Sequence, residues 1–281
     1  MTSRRLGFSF LYFAPRIDAS HDRWFDLLAR HGYAGAELPV HDATDGELAH
    51  LAVATRSRGL ETTAVGFTTA ATDPISPDPA IRRAAIAHLG RLCEKAAQLG
   101  AKVLAGPMHS AYGVFSEQPP TTDERARCVD VLQAAGERAA RLGVTLAIEP
   151  LNRFECYFLN TAADCSALVR AVAHPNVQGT LDTHHAHIEE RSVAAAIRAS
   201  AGTLGHVQLS ENHRGTPGTG QIDFAAAIRE LDAIGYHGWL VIEAFSRQTP
   251  AFGSALRIWR ALDDGPESVI AAGAAMVRST R

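Results

Sequence analysis

Cysteine is scarce in this chain: Cys93, Cys128, Cys156 and Cys165 are the only four among 281 residues, and none forms a CxxC pair. That spacing excludes a disulfide scaffold and a thiolate zinc cluster, so the thiols read as buried bystanders in a reducing compartment. Long apolar runs are also missing. The opening segment MTSRRLGFSFLYFAP holds two arginines and one short apolar run. It is too short for a membrane span and lacks a small-residue cleavage site, so it reads as a first strand, and the expected location is cytoplasmic. There is no surplus of positive charge. The net charge of −3 gives no reason to expect nucleic acid or an anionic membrane as partner. Finally, LYFAPR (11–16) carries no glycine. An open doubly wound sheet would place a glycine-rich phosphate loop there.

What is present is an alternation of short apolar runs with amphipathic stretches. The strand-like runs are 6–13, 34–40, 61–67, 102–107, 144–149, 178–182, 204–208 and 239–243. Helical stretches follow at 22–32, 45–60, 79–100, 122–143, 162–172, 192–200 and 224–235, then 250–262 and 266–279. Several of these stretches close on glycine, as at Gly32, Gly100 and Gly143, where a helix end favours it. Strict strand–helix alternation argues for parallel strands. Eight such units in one chain of 281 residues predict a single-domain (β/α)8 TIM barrel over residues 1–281.

Four polar residues close four successive runs: Glu149, Asp182, Gln208 and Glu243, separated by 33, 26 and 35 residues. Each gap holds one helix and one strand, so the four side chains converge on the C-terminal mouth of the barrel, where such folds place their chemistry. Glu149 and Glu243 end apolar runs, where a bare carboxylate is costly to bury. A divalent cation compensates them. An all-oxygen set of three carboxylates and one amide carbonyl favours Mn²⁺ or Mg²⁺ over Zn²⁺, with Co²⁺ as a substitute. Two carboxylates beside a Lewis acid suit proton abstraction next to a carbonyl, one removing the proton and the other returning it from the opposite face. Return to the same carbon inverts a stereocentre, and return to the neighbouring carbon interconverts an aldose and a ketose.

Further polar residues fall near the same mouth. Glu155 lies in NRFE (152–155), His185 in DTHHAHIEE (182–190) and Arg214 in SENHRGTPGTG (210–220), each able to bind polyol hydroxyls. Glu155 and Arg214 have an ordinary alternative as solvated or salt-bridged loop charges, and His185, crowded with His184 and His187, as a histidine that packs or meets solvent. His109 and Glu37 are further substrate-pocket candidates at the ends of strands four and two. His206 alternates in phase with Gln208, either as a core histidine or as a rival ligand.

The segments EPLNRFECYFLNTA (149–162), LDTHHAHIEE (181–190), SENHRGTPGTG (210–220) and GYHGWLVIEAF (235–245) resemble the ketose 3-epimerases of the D-tagatose/D-psicose type. These belong to the wider xylose-isomerase-like sugar isomerase/epimerase superfamily. The resemblance is dense in the second half; in the first it rests on strand–helix order and on the loop GPMHSAYGVF (106–115). It implies a (β/α)8 barrel, a divalent ion that is usually manganese, a free keto-sugar substrate and a homo-oligomer, either dimer or tetramer. It also implies Glu149 and Glu243 as ligands and acid/base groups, Asp182 as ligand, and Glu155, His185 and Arg214 as substrate contacts. Inversion at C3 through a cis-enediolate is the implied reaction.

One departure stands out. The epimerases carry histidine where this chain has Gln208; glutamine at that place resembles the hydroxypyruvate isomerases. The alternatives are therefore a hydroxypyruvate-type aldose–ketose isomerase, or a lyase that dehydrates a keto-inositol or cleaves a 3-keto C-glycoside. A metal-dependent endonuclease of similar fold would need a histidine-rich zinc centre and a basic surface, and neither is present.

Overall fold

The computed structural model describes residues 4–280. Eight parallel strands close into a barrel in chain order, with β1 (Arg5–Ser9) pairing both β2 (Gly35–Pro39) and β8 (Trp239–Glu243). The others are β3 (Glu61–Val65), β4 (Val103–Gly106), β5 (Thr145–Ile148), β6 (Val177–Asp182) and β7 (Leu204–Ser210). The helices in chain order are α1 (Asp22–Arg30), α2 (Asp45–Arg56), α3 (Pro79–Leu99), α4 (Thr122–Leu142), α5 (Ala162–Val172), α6 (Thr183–Glu189), α7 (Val193–Ala199), α8 (Phe224–Ala233), α9 (Pro250–Ala255) and α10 (Pro266–Arg278). This is the TIM barrel that the alternation predicts. Among the described residues no helix is long and apolar enough to cross a membrane.

Local chemistry sets the helix ends. Thr121 and Glu124 form a reciprocal capping box at the start of α4, and Gly143 ends that helix at φ 65°, a left-handed position that costs glycine little. Asp78 caps α3, whose first residue, Pro79, has no N–H to leave unpaired. The N-terminal end of the barrel is closed by Trp239. Its ring presses against Gly35, where an added Cβ would lie 2.7 Å from the ring and 2.4 Å from the Glu61 carbonyl oxygen. Arg5 stacks its guanidinium 4.3 Å from the same ring.

Three expectations need correction. The run 6–13 is not one strand: β1 stops at Ser9, and Phe10–Tyr12 turn as a 3₁₀ helix. The turn carries Phe10, Tyr12 and Phe13 into one aromatic cluster with Phe8, Trp24 and Phe25, with Phe10 stacked at 4.7 Å on Phe25. The stretch 250–262 is helical only to Ala255. Arg257 takes φ 62° there, and Ile258 N donates to the Gly253 carbonyl at 2.8 Å, a left-handed helix stop made without glycine. Helix α6, absent from the expected helical stretches, starts directly from β6, with Asp182 as its N-cap: the carboxylate Oδ1 accepts from His184 N at 2.8 Å.

Candidate active site and metal centre

Strand direction brings the four predicted ligands to one end of the barrel. Glu149 directly follows β5, Asp182 and Glu243 end β6 and β8, and Gln208 sits opposite Asp182 in register. All four are buried, none more than 5% exposed. Burial raises the pKa of Glu149 well above the usual carboxylate range, reinforced by the neighbouring charges of Glu243 and Asp182. Burial also raises Glu243, against the pull of Arg214. For Asp182 burial works in the same direction, but Arg214 and the nearby histidines outweigh it and hold the group low.

Arg214 is the cation of this cluster. Its Nη1 donates to Asp182 Oδ2 at 2.6 Å, to Ser210 Oγ at 3.1 Å and to Glu243 Oε2. Its guanidinium lies 4.8 Å from the ring of Phe245. The residue is held at φ 64°, strained for a side chain with a Cβ, and is anchored on both sides of its peptide. Arg214 N donates to the Glu211 carbonyl at 3.0 Å, and Phe245 N donates to the Arg214 carbonyl at 2.8 Å.

The residues fit a divalent cation. Three buried carboxylates share a single guanidinium, and the raised pKa values of Glu149 and Glu243 show that this one cation does not offset the charge all three would carry. The Gln208 Oε1 atom is buried and accepts no hydrogen bond from the described residues. Glu149 Oε1 and Asp182 Oδ2 both lie near one point, 3.5 and 3.6 Å from His185 Nε2. Glu243 lies outside that trio and is tied instead to Arg214 and to Gln208 Nε2, the latter at 3.0 Å.

His185, on α6, is fully enclosed, and burial with the nearby Arg214 charge drives its pKa well below the normal value, so it is neutral at pH 7. Asn152 approaches its Nδ1 with the backbone N at 3.0 Å and with the side-chain Nδ2 at 2.9 Å. Both are donors, so the proton is assigned to Nε2. That N–H lies 3.0 Å from Arg214 Nη2, also a donor. Two donors thus converge where an acceptor oxygen would satisfy both.

These groups border a cavity of about 290 Å³ lined by Glu149, Glu155, His185, Arg214 and Glu243 at one end. Leu11, Pro39, Val65, Phe67, Phe252 and Leu256 form much of the remaining wall. Glu155 is half-buried, held by Asn152 Nδ2 at 2.7 Å and by the Tyr112 hydroxyl at 3.4 Å.

His109 and Glu37 are not among the residues lining this cavity. His109 is buried behind β5, its Nε2 3.0 Å from the Glu149 carbonyl, and burial pushes its pKa down to about 4. Glu37 lies in the barrel interior with His206 Nε2 at 2.7 Å. His206 Nδ1 is buried and has no partner among the described residues.

The match with known proteins decides the family. Residues 25–279 match the family described as xylose isomerase-like TIM barrel. This chain belongs to that family. Among curated xylose isomerase-like relatives, a ketose 3-epimerase of Arthrobacter globiformis is 32% identical over 277 residues, covering 98% of this chain and 96% of the relative. A D-psicose 3-epimerase of Ruminiclostridium cellulolyticum is 30% identical over 269 residues, covering 93% and 90%. The crystal structure of a Methylomonas sp. D-allulose 3-epimerase in complex with D-allulose superposes with a TM-score of 0.90 at 29% identity, covering 99% of this chain and 98% of that one. The homologues are thus isomerase-class enzymes.

Sequence reasoning missed three parts of this xylose isomerase-like site. Asn152 orients His185 and Glu155 together, Ser210 and Phe245 seat Arg214, and Tyr112 borders Glu155. The NRFE segment contained Asn152 in plain view. An asparagine three residues before a glutamate is the one signal that marked the pair.

Proposed function

We propose that this chain is a divalent-metal-dependent ketose 3-epimerase acting on a free keto sugar. The observation that carries this reading is the site itself. Glu149 and Glu243 border one cavity beside Asp182 and an unpaired Gln208 amide oxygen, in a chain with 3-epimerase relatives along nearly its whole length. Glu149, Asp182, Gln208 and Glu243 would hold the cation, with Mn²⁺ as first choice and Mg²⁺ or Co²⁺ as alternatives. When bound, a divalent cation supplies Lewis acidity that polarises the keto oxygen. His185 Nε2–H and Arg214 Nη2–H then donate to a sugar oxygen placed between them. Glu155 receives a further hydroxyl. One glutamate takes the proton from C3, and the other returns one from the opposite face through a cis-enediolate.

Gln208 favours a second reading, hydroxypyruvate-type aldose–ketose isomerisation, in which the proton returns to the adjacent carbon. Metal analysis of the purified protein followed by a keto-sugar panel in heavy water separates the two. Deuterium at C3 of a ketohexose with inverted product supports epimerisation. Aldose formation supports the second reading, and no exchange into any ketose with metal bound overturns both. Release of water from a keto-inositol, or of an aryl product from a C-glycoside, would instead assign a lyase. The cytoplasmic location and the homo-oligomer belong to the same proposal. Four free buried cysteines support the first, and light scattering of the purified protein tests the second.

A further inference from the structure

A primary amide has two ends of nearly the same shape, and only its oxygen binds a cation. Gln208 must therefore be held one way round for its Oε1 to serve. We propose that Glu37 is the positioning residue that does this, an inference that rests on the metal reading of Gln208. Glu37 Oε1 accepts from Gln208 Nε2 at 3.0 Å. The same Nε2 donates at 3.0 Å to Glu243 Oε1, so both amide hydrogens are taken by carboxylate oxygens. Turning the amide over would press Oε1 against those two oxygens inside the buried barrel interior. The observed orientation leaves Oε1 buried and without a partner among the described residues, the one free acceptor of the side chain.

Of the two carboxylates, Glu37 is the one set away from the cavity. Glu243 borders the cavity and is also tied to Arg214, so it faces the site as well as the amide. Glu37 is fully buried and does not border the cavity. Its own orientation is fixed by two other strands: Thr63 Oγ1 on β3 donates to Oε2 at 3.2 Å, and His206 Nε2 on β7 approaches the same oxygen at 2.7 Å. Strands β2 and β7 are separated in the barrel by β1 and β8, so this contact reaches across the interior. A glutamate is required at position 37, because a glutamine there could present its own NH₂ to Gln208 and allow the amide to turn.

The test is calorimetric titration of Mn²⁺ into the metal-free full chain. Glu37→Gln should weaken binding by about 10- to 100-fold, the usual effect of losing a group that orients a ligand. His206→Gln, which removes a neighbour of Glu37 but keeps the Glu37–Gln208 bond, should leave the affinity near that of the unaltered protein. Failure of the unaltered protein to bind Mn²⁺ would remove the metal reading and this proposal with it. Equal affinity in Glu37→Gln and the unaltered protein would overturn the proposal and leave the metal reading standing. Equal weakening by both variants would also overturn it, by showing a general packing effect. Should Glu37→Gln not fold, the Gln208 carboxamide protons decide, assigned in the NMR spectrum of the metal-free protein by their loss in Gln208→Asn. Slow exchange with heavy water and broadening by Mn²⁺ support the proposal, and rapid exchange overturns it.

Discussion

Arg214 and Asp182 form a buried ion pair, with Nη1 2.6 Å from Oδ2, and the same nitrogen reaches Glu243. Removing the guanidinium leaves two buried carboxylates without a counter-charge. Arg214→Met should therefore destabilise the metal-free protein by about 3–5 kcal/mol, the usual cost of breaking a buried pair from one side. Saturating Mn²⁺ should recover much of that loss, because the cation takes over the neutralisation. Melting curves with Mn²⁺ and with a chelator check this. Equal losses in both conditions would show that the cation does not share these carboxylates.

The two glutamates should separate from the aspartate by role. Glu149→Gln and Glu243→Gln should fold normally but lose about 10²- to 10⁴-fold in turnover, the range for an acid/base group. Asp182→Asn should keep α6, since asparagine also caps helices well, and should mainly weaken metal binding. High Mn²⁺ should then restore much of its activity. Near-normal turnover of either glutamine variant at saturating metal would exclude the two-carboxylate mechanism.

Position 208 should govern metal preference. An amide oxygen is hard and does not titrate, so Mn²⁺ or Mg²⁺ should support activity better than Zn²⁺. Gln208→His should shift preference toward Co²⁺ or Zn²⁺ and add a loss of metal affinity below pH ~6.5, where free imidazole takes a proton. Metal titrations at pH 7.5 and 5.5 read both effects. An unchanged preference would remove Gln208 from the ligand set.

His109 predicts an acid-sensitive stability. Its folded pKa of about 4 lies below the unfolded value, because burial penalises the imidazolium. The unfolded chain therefore binds the proton first as pH falls. His109 imposes no cost above pH ~6.5; below that the native state loses stability until pH 4, by about 3 kcal/mol in total. Urea unfolding at pH 7 and pH 5 should show a smaller pH difference in His109→Gln than in the unaltered protein. Identical differences would show that His109 is not the group responsible.

Much of this barrel was legible because its punctuation is local. Gly100 and Gly143 mark helix ends, and Glu149, Asp182 and Glu243 each follow an apolar run whose length alone identifies a strand. The same residues were legible as a site because strand ends in a barrel share one mouth. What escaped was set by contacts distant in sequence. Glu37 and His206 are 169 residues apart, and nothing near either one announces the other. Phe10–Tyr12 leave the strand because several aromatic rings must enter the same core, a demand that the alternation of a single run does not express. The stop after α9 is built on Arg257, a residue type that seldom adopts φ 62° and so gave no warning. Helix α6 was hidden by its own cap, since Asp182 read as a ligand and not also as the residue that starts the next helix.

Trp239 at the foot of β8 has a consequence for traffic. Its buried ring packs against Gly7 and Gly35 at the end of the strand opposite Glu243, which lines the cavity. Two sugars that differ at one carbon would then compete for a single berth. Each turnover must end with the product leaving that berth before the next arrival, and the accumulating epimer should slow the forward reaction as a competitive inhibitor well before equilibrium is reached.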